Sequence, residues 1–308
     1  MAATAKTVVA TGASSGLGFH VIKHLLSQTS QPYNFILGAR DASRTQDAYR
    51  SAFQGASLDP HSLDILPLEL ADLKSVKHFA KQTLEKLEGK RIDYLFLNAG
   101  ITNGAGTEKP GPGGSKWCEA LVVNHLSQHY LTHLLLPALL RPGSDTTTDS
   151  NSRIVVVSSG AIRRVTDPST LEEDLLAGSG KDGNTVYAET KFVQLLGAHW
   201  WRRKLKDTAC KVVAVSPGLI PGTGIGRGSG LVLSMEMKDA KSVDEGAQSI
   251  LRAFTRDDFP EDPNRIFLTS WGEWWESETI GKTLDKELQD RWCPEKEEIE
   301  TEEGLKDF

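Results

Sequence analysis

Cysteine is scarce in this chain. Cys118, Cys210 and Cys293 stand far apart among 308 residues, so neither a CxxC pair nor a disulfide framework can form, which fits a reducing compartment. Long apolar runs are missing as well. The best candidate, LTHLLLPALL, is too short to cross a bilayer and is interrupted by Pro137. The opening residues, MAATAKTVVATGASSG, lack the charged lead, apolar core and cleavage site of a secretion signal. The expected location is therefore cytoplasmic, with no membrane partner. An excess of positive charge is absent too. The net charge is −6, which argues against a nucleic-acid backbone as partner. Much of that charge falls in the last fifteen residues, PEKEEIETEEGLKDF, with seven acids against two lysines. That stretch reads as a solvated, mobile acidic tail over 294–308 behind a domain over 1–293.

What is present is a packed core: 39% hydrophobic and 25% charged residues exclude global disorder. Short apolar, β-branched runs recur at 6–11, 34–39, 63–69, 92–98, 153–159, 211–216 and 264–269. Helical patterns lie between them near 17–28, 72–88, 117–140, 186–206 and 242–256. Continuous apolar strands alternating with helices predict an α/β fold, a doubly wound parallel sheet (Rossmann fold) of about seven strands in a single domain. Three stretches break the alternation: a Gly/Pro loop at 102–116, an insertion at 163–185 and a Gly-rich segment from 218. Loops at the carboxyl ends of strands bind ligands in such sheets, so 163–185 and 218–240 are candidate substrate loops.

The first strand runs straight into TGASSGLGFHVIKHLL. Gly12, Gly16 and Gly18 enclose Ser14, Ser15 and Leu17 in a GxxxGxG turn that opens a helix. Such a turn lets backbone N–H groups and the positive helix end meet a pyrophosphate. The second strand ends in LGAR. An acid at that tip would accept ribose hydroxyls, whereas the guanidinium of Arg40 suits a 2′-phosphate, so NADP(H) is expected over NAD(H). Asp41 follows directly, and its alternative role is to start the next helix.

In NTVYAETKFVQ, Tyr187 and Lys191 are one helical turn apart and share a face. A tyrosine beside a lysine is a candidate proton donor. Its ordinary pKa near ~10 must fall for it to exchange protons at neutral pH, and a nearby ammonium favours the phenolate. Ser159, at the end of a strand, can donate to a developing oxyanion, although Ser158 could take that role and leave Ser159 to cap the strand. His125, His129 and His133 recur every four residues without an HExxH pattern, so they read as satisfied helix histidines and no metal is expected. Trp271, Trp274 and Trp275 could line a substrate lid or close the core.

Six stretches in order, TGASSGLG, LNAG, VNHL, RIVVVSS, YAETK and SPG, resemble the short-chain dehydrogenase/reductase family over residues 6 to about 270. VNHLSQHYLTHLLLP and the long spacer before Tyr187 look most like its retinol-dehydrogenase and protochlorophyllide-reductase-like branch. The resemblance implies an NADP(H)-dependent oxidoreductase that reduces a carbonyl, or oxidises a secondary alcohol, on an apolar or aromatic small molecule. Reduction of a carbon–carbon double bond and a non-catalytic NADP(H)-binding role are the alternatives. It implies Tyr187 as general acid, Lys191 binding the nicotinamide ribose and lowering the tyrosine pKa, Ser159 holding the substrate oxygen, and Asn124 holding a water in a proton relay. For the cofactor it implies Asn98, Ala99 and Gly100 beside it, Pro217, Gly218 and Ile220 at the nicotinamide amide, Thr223 nearby, and Glu69 and Leu70 at the adenine. Glu69 stands where Asp is usual. A homodimer through the 117–140 and 186–206 helices is also implied, although monomers occur in the same branch.

Overall fold

The computed structural model describes residues 4–142, 152–226 and 233–306. Seven strands, β1 (Lys6–Thr11), β2 (Tyr33–Ala39), β3 (Ser62–Pro67), β4 (Tyr94–Leu97), β5 (Arg153–Val157), β6 (Lys211–Val215) and β7 (Phe267–Leu268), form one sheet in the order β3-β2-β1-β4-β5-β6-β7. Every paired register is parallel. The central strands are buried throughout, β5 along its whole length, which is why they read as unbroken apolar runs.

The helices are α1 (Gly16–Leu26), α2 (Ala42–Ala52), α3 (Leu73–Leu87), α4 (Glu119–Leu121), α5 (Ser127–Leu139), α6 (Leu171–Asp174), α7 (Gly183–Lys204), α8 (Val243–Thr255), α9 (Ser277–Ile280), α10 (Lys286–Trp292) and α11 (Lys296–Glu302). Side chains of α1, α2 and α8 fill the core on one face of the sheet, and those of α3, α5 and α7 fill it on the other. Helix α2 buries only Thr45 and Tyr49, too few apolar positions for its period to be read from sequence. It starts at Asp41, whose carboxylate accepts from the Arg44 N–H at 2.9 Å. A π turn over Val122–Leu126 joins α4 to α5. The strand order reverses between β1 and β4, and open α/β sheets bind ligands beyond the carboxyl ends at such a point.

The acidic C-terminus departs from the expected solvated tail. Within 294–308, α11 buries Ile299, and Leu305 follows it into the core. Glu300 accepts from the Tyr130 hydroxyl at 2.8 Å and pairs with Lys77 at 3.2 Å. The three helix histidines help hold this segment. His125 Nε2 lies 2.8 Å from the Trp292 carbonyl, and His129 Nε2 lies 2.9 Å from that of Pro294. Trp201 donates to His129 Nδ1 at 3.0 Å, so the His129 proton sits on Nε2 and is donated to Pro294. The chain's own C-terminal segment thus packs on α5 and α7.

The 163–185 insertion holds α6 rather than open loop. Cys118 N donates to Leu175 O at 2.9 Å and Ala177 N to Lys116 O at 2.9 Å, tying it to the start of α4. The Gly-rich segment expected over 218–240 falls in part, at 227–232, outside the described residues. Among the described residues no helix is long and apolar enough to cross a membrane.

Candidate active site

A cleft of about 390 Å³ opens beyond the carboxyl ends of β1, β2, β4 and β5. Its floor is the β1–α1 turn, where Ser14, Ser15, Gly16 and Leu17 line the space together with Gly12. Gly12 has φ +64°, and a Cβ there would stand 2.6 Å from the Ala99 Cα. Ser15, the N-cap of α1, makes no side-chain capping bond, and the first turn carries no acid. The positive end of α1 is therefore left to an anion in the cleft. Gly18 differs from its expected place, since it does not line the cleft. It packs so closely that a Cβ would fall 2.3 Å from the Gly12 carbonyl oxygen, so its role is to seat the helix under the turn.

Along the second wall, Arg40, Glu69 and Leu70 face the space. Arg40 is exposed and has no ion pair among the described residues. Asp41 is occupied as the cap of α2. Glu69 turns its carboxylate onto the Ala71 N–H at 2.9 Å, closing the loop after β3. Asn98, Ala99 and Gly100 form the third wall. The Thr11 hydroxyl accepts from the N–H groups of Asn98 and Ala99 at 3.1 and 3.2 Å and donates to Gln128 at 2.9 Å. Asn98 also donates to the Gly12 carbonyl at 2.8 Å, so the β1 and β4 turns are held as one unit. Pro217 and Thr223 line the far end. Gly218 and Ile220, expected beside them, are set back: Gly218 packs at Ser270, and Ile220 is buried against Gly246.

Tyr187 and Lys191 project from the first turns of α7 into the cleft. The Asp182 carboxylate starts this helix by accepting from the N–H groups of Asn184 and Thr185 at 2.9 and 3.1 Å. Ser158 and Ser159 divide the roles left open by the sequence. Ser158 donates to the Lys191 carbonyl at 3.1 Å and is buried, whereas Ser159 caps the following turn and hydrogen-bonds Tyr187. Burial pushes the Tyr187 phenol above its ordinary value. The Ser159 bond and the Arg164 charge pull the other way without overcoming it. The lowering expected from Lys191 is thus not seen in the protein alone. Burial also brings the Lys191 ammonium down to about 7, which weakens its charge at neutral pH. Lys191 Nζ donates to the Val157 carbonyl at 2.9 Å and to Gln194 Oε1 at 3.0 Å.

Asn124 sits in the π turn and is fully buried. Its Oδ1 accepts from the Ile101 N–H at 2.8 Å, and its Nδ2 donates to the Ile101 carbonyl and the Thr190 hydroxyl, both at 2.9 Å. This side chain pins the loop after β4. The tryptophans separate. Trp275 stacks on Phe267 at 5.4 Å and lies beside Gly160, behind the turn that follows Ser159. Trp274 packs on Phe259, and Trp271 stays half-exposed over the Lys241 ammonium.

Sequence reasoning missed four polar residues here. Gln128 and Gln194 lie one turn beyond Asn124 and Lys191, a spacing that could have flagged both. Arg164 follows Ser159 by five residues, and it has no ion pair among the described residues. Glu189 lies between Tyr187 and Lys191, buried, and its Oε2 has no hydrogen-bond partner. Its carboxyl faces that of Asp174 of α6, which pairs with Lys181 at 2.7 Å. Burial, and then Asp174, raise Glu189 to about 8. A carboxyl raised in the fold contributes stability that is complete below its ordinary range and is lost as pH rises through about 8. Glu189→Gln should therefore match wild type in melting temperature near pH 4 and exceed it by several degrees at pH 9. Equal melting temperatures at both pH values would show that the fold does not raise Glu189.

With this geometry in place, comparison with known proteins gives a consistent result. A family model described as short chain dehydrogenase matches residues 6–167. A short-chain dehydrogenase/reductase of Pestalotiopsis microspora is 57% identical over 304 residues, covering 97% of this chain and 100% of that protein. Retinol dehydrogenase 14 of Mus musculus is 31% identical over 230 residues, covering 72% of this chain and 63% of that protein. Among solved structures, an NADPH-bound carbonyl reductase from chicken fatty liver is 23% identical. It superposes with a TM-score of 0.64 over 88% of this chain and 98% of its own, a likeness of fold.

Proposed function

This chain belongs to the short-chain dehydrogenase/reductase family of oxidoreductases, and on that premise we propose that it is an NADP(H)-dependent reductase of a carbonyl on an apolar or aromatic small molecule. The observation that carries the reading is the meeting of Tyr187 and Lys191 at one end of a cleft whose other end presents Arg40, with Ser158 on its lining and Ser159 set behind it against the Tyr187 phenol. The cleft suits a dinucleotide: a glycine turn on its floor, an uncapped helix start for the pyrophosphate, and a guanidinium without an ion pair among the described residues for a 2′-phosphate. Bound NADPH supplies the hydride. The protein supplies the rest. Ser159 orients the carbonyl oxygen, Tyr187 delivers its phenolic proton to that oxygen as negative charge develops, and Lys191 holds the ribose end. Arg164 offsets charge beside Tyr187, and Trp275 backs the turn that presents Ser159.

The test is NADPH consumption against a panel of apolar and aromatic ketones, aldehydes and enones, with products identified. An alcohol from the ketones is expected. A saturated ketone from the enones, with the carbonyl left intact, would replace this reading by double-bond reduction. Arg40→Ala should raise KM for NADPH about 10- to 100-fold, the scale of lost charge-assisted hydrogen bonds, and leave that for NADH nearly unchanged. Equal changes for both would mean that Arg40 does not read the 2′-phosphate.

A further inference from the structure

Beyond the proposed set of Tyr187, Ser159 and Lys191, and resting on that reading, we infer that Gln194 is a positioning residue that fixes the Lys191 ammonium and takes up the carbonyl of Asn124, so that the route between them runs through a carboxamide. Gln194 is buried, three residues after Lys191 on α7. Its Oε1 accepts from Lys191 Nζ at 3.0 Å, and its Nε2 donates to the Asn124 carbonyl at 3.0 Å. One side chain therefore spans both groups.

The backbone supplies the reason. The Asn124 carbonyl lies in the π turn at Val122–Leu126, where the regular ladder is interrupted, and it draws two side-chain donors. Gln128 Nε2 approaches it at 3.2 Å and Gln194 Nε2 at 3.0 Å. The Val157 carbonyl, at 2.9 Å, is the other acceptor for Lys191 Nζ. The ammonium is thus held from the β5 end and from α7 and points between them to the cleft.

The chemistry of the bridge follows from its donors and acceptors. A carboxamide accepts on oxygen and donates from nitrogen, and it gains and loses no proton under ordinary conditions. It can orient Lys191 but cannot pass a proton from Asn124 to it. The bridge through Gln194 is therefore a positioning contact and not itself a proton path. Tyr187, on the same helix, faces the ammonium with its ring centroid 5.8 Å from Nζ.

Two variants test this in opposite directions. Gln194→Leu removes the acceptor from Lys191, and Gln194→Glu places a carboxylate there. In protein labelled with ¹³C-lysine, with the Lys191 signal assigned by its loss in Lys191→Arg, the titration of Lys191 should move to lower pH in Gln194→Leu and to higher pH in Gln194→Glu. This readout needs no cofactor and no turnover. In NADPH-dependent turnover, Gln194→Leu should lower kcat about tenfold or more with KM for the carbonyl within about twofold, the scale of one hydrogen bond to a charged group. Lys191 titrating alike in wild type and both variants would overturn the proposal and make Gln194 core filling. A wild-type kcat in a folded Gln194→Leu would overturn it as well. If Gln194→Leu does not fold, Gln194→Glu alone decides by the direction of its shift. A wild-type protein that binds no NADPH would sink the proposed function and leave the Lys191 titration readable.

Discussion

Tyr187→Phe is expected to lower kcat for carbonyl reduction by about 10²- to 10⁴-fold, the usual contribution of a positioned general acid, while binding NADPH with near wild-type affinity. The change removes one oxygen from a ring that otherwise keeps its place on the first turn of α7. The lost atom is the one that hydrogen-bonds Ser159. The phenol lies above its ordinary pKa because burial outweighs Ser159 and Arg164, so it is protonated across the neutral range and fit to donate. Lys191, brought down to about 7, passes from cation to neutral amine in that range. Ribose binding through the ammonium should therefore weaken as pH rises above neutrality, and an alkaline fall in NADPH affinity is the expected accompaniment. Rate assays of Tyr187→Phe, with NADPH binding followed by fluorescence, separate the two effects. A variant that keeps wild-type turnover would remove Tyr187 from the chemistry altogether.

Gly18→Ala should be nearly as damaging, although Gly18 does not line the cleft. A Cβ there would stand 2.3 Å from the Gly12 carbonyl oxygen and 2.4 Å from Asn98 Nδ2. The first neighbour is backbone and cannot rotate away. The second is the side chain that holds the β4 turn to the β1 turn through its bond to Gly12 at 2.8 Å. Relief requires α1 to move off the turn, at a cost of about 3 kcal/mol or more, the upper end of overpacking. The same movement spoils the anion site at the helix start. Chemical denaturation and NADPH titration should therefore fail together. A stable variant with wild-type affinity would mean that the turn has more room than its geometry allows.

The sequence by itself determined the sheet and much of its cleft. Strands buried on both faces must be apolar at every position, so the central runs were legible without a partner in view. The turn at Gly12–Gly18 announced itself because only glycine tolerates that approach of backbone to backbone. Arg40, Tyr187 and Lys191 were legible because their chemistry and spacing are local. Helix α2 was not, because it buries two side chains and leaves almost no period.

Tertiary structure alone decided the long-range facts. The charge of 294–308 reads as tail, yet Ile299 and Leu305 find a core and Glu300 finds Tyr130 and Lys77. Burial of two apolar side chains outweighs the cost of placing acids there, because Glu297, Glu298 and Glu302 stay exposed and Glu295 and Glu300 meet lysines. The choice between Ser158 and Ser159 depended on which hydroxyl the Lys191 carbonyl captures. Gln194 and Glu189 carry no motif, and each acquires its role from a group brought to it by the fold: the Asn124 carbonyl within a π turn in the one case, Asp174 of the 163–185 insertion in the other. A hydrogen bond to a residue seventy positions away leaves no periodic trace in the chain, because period records only which face of an element is buried.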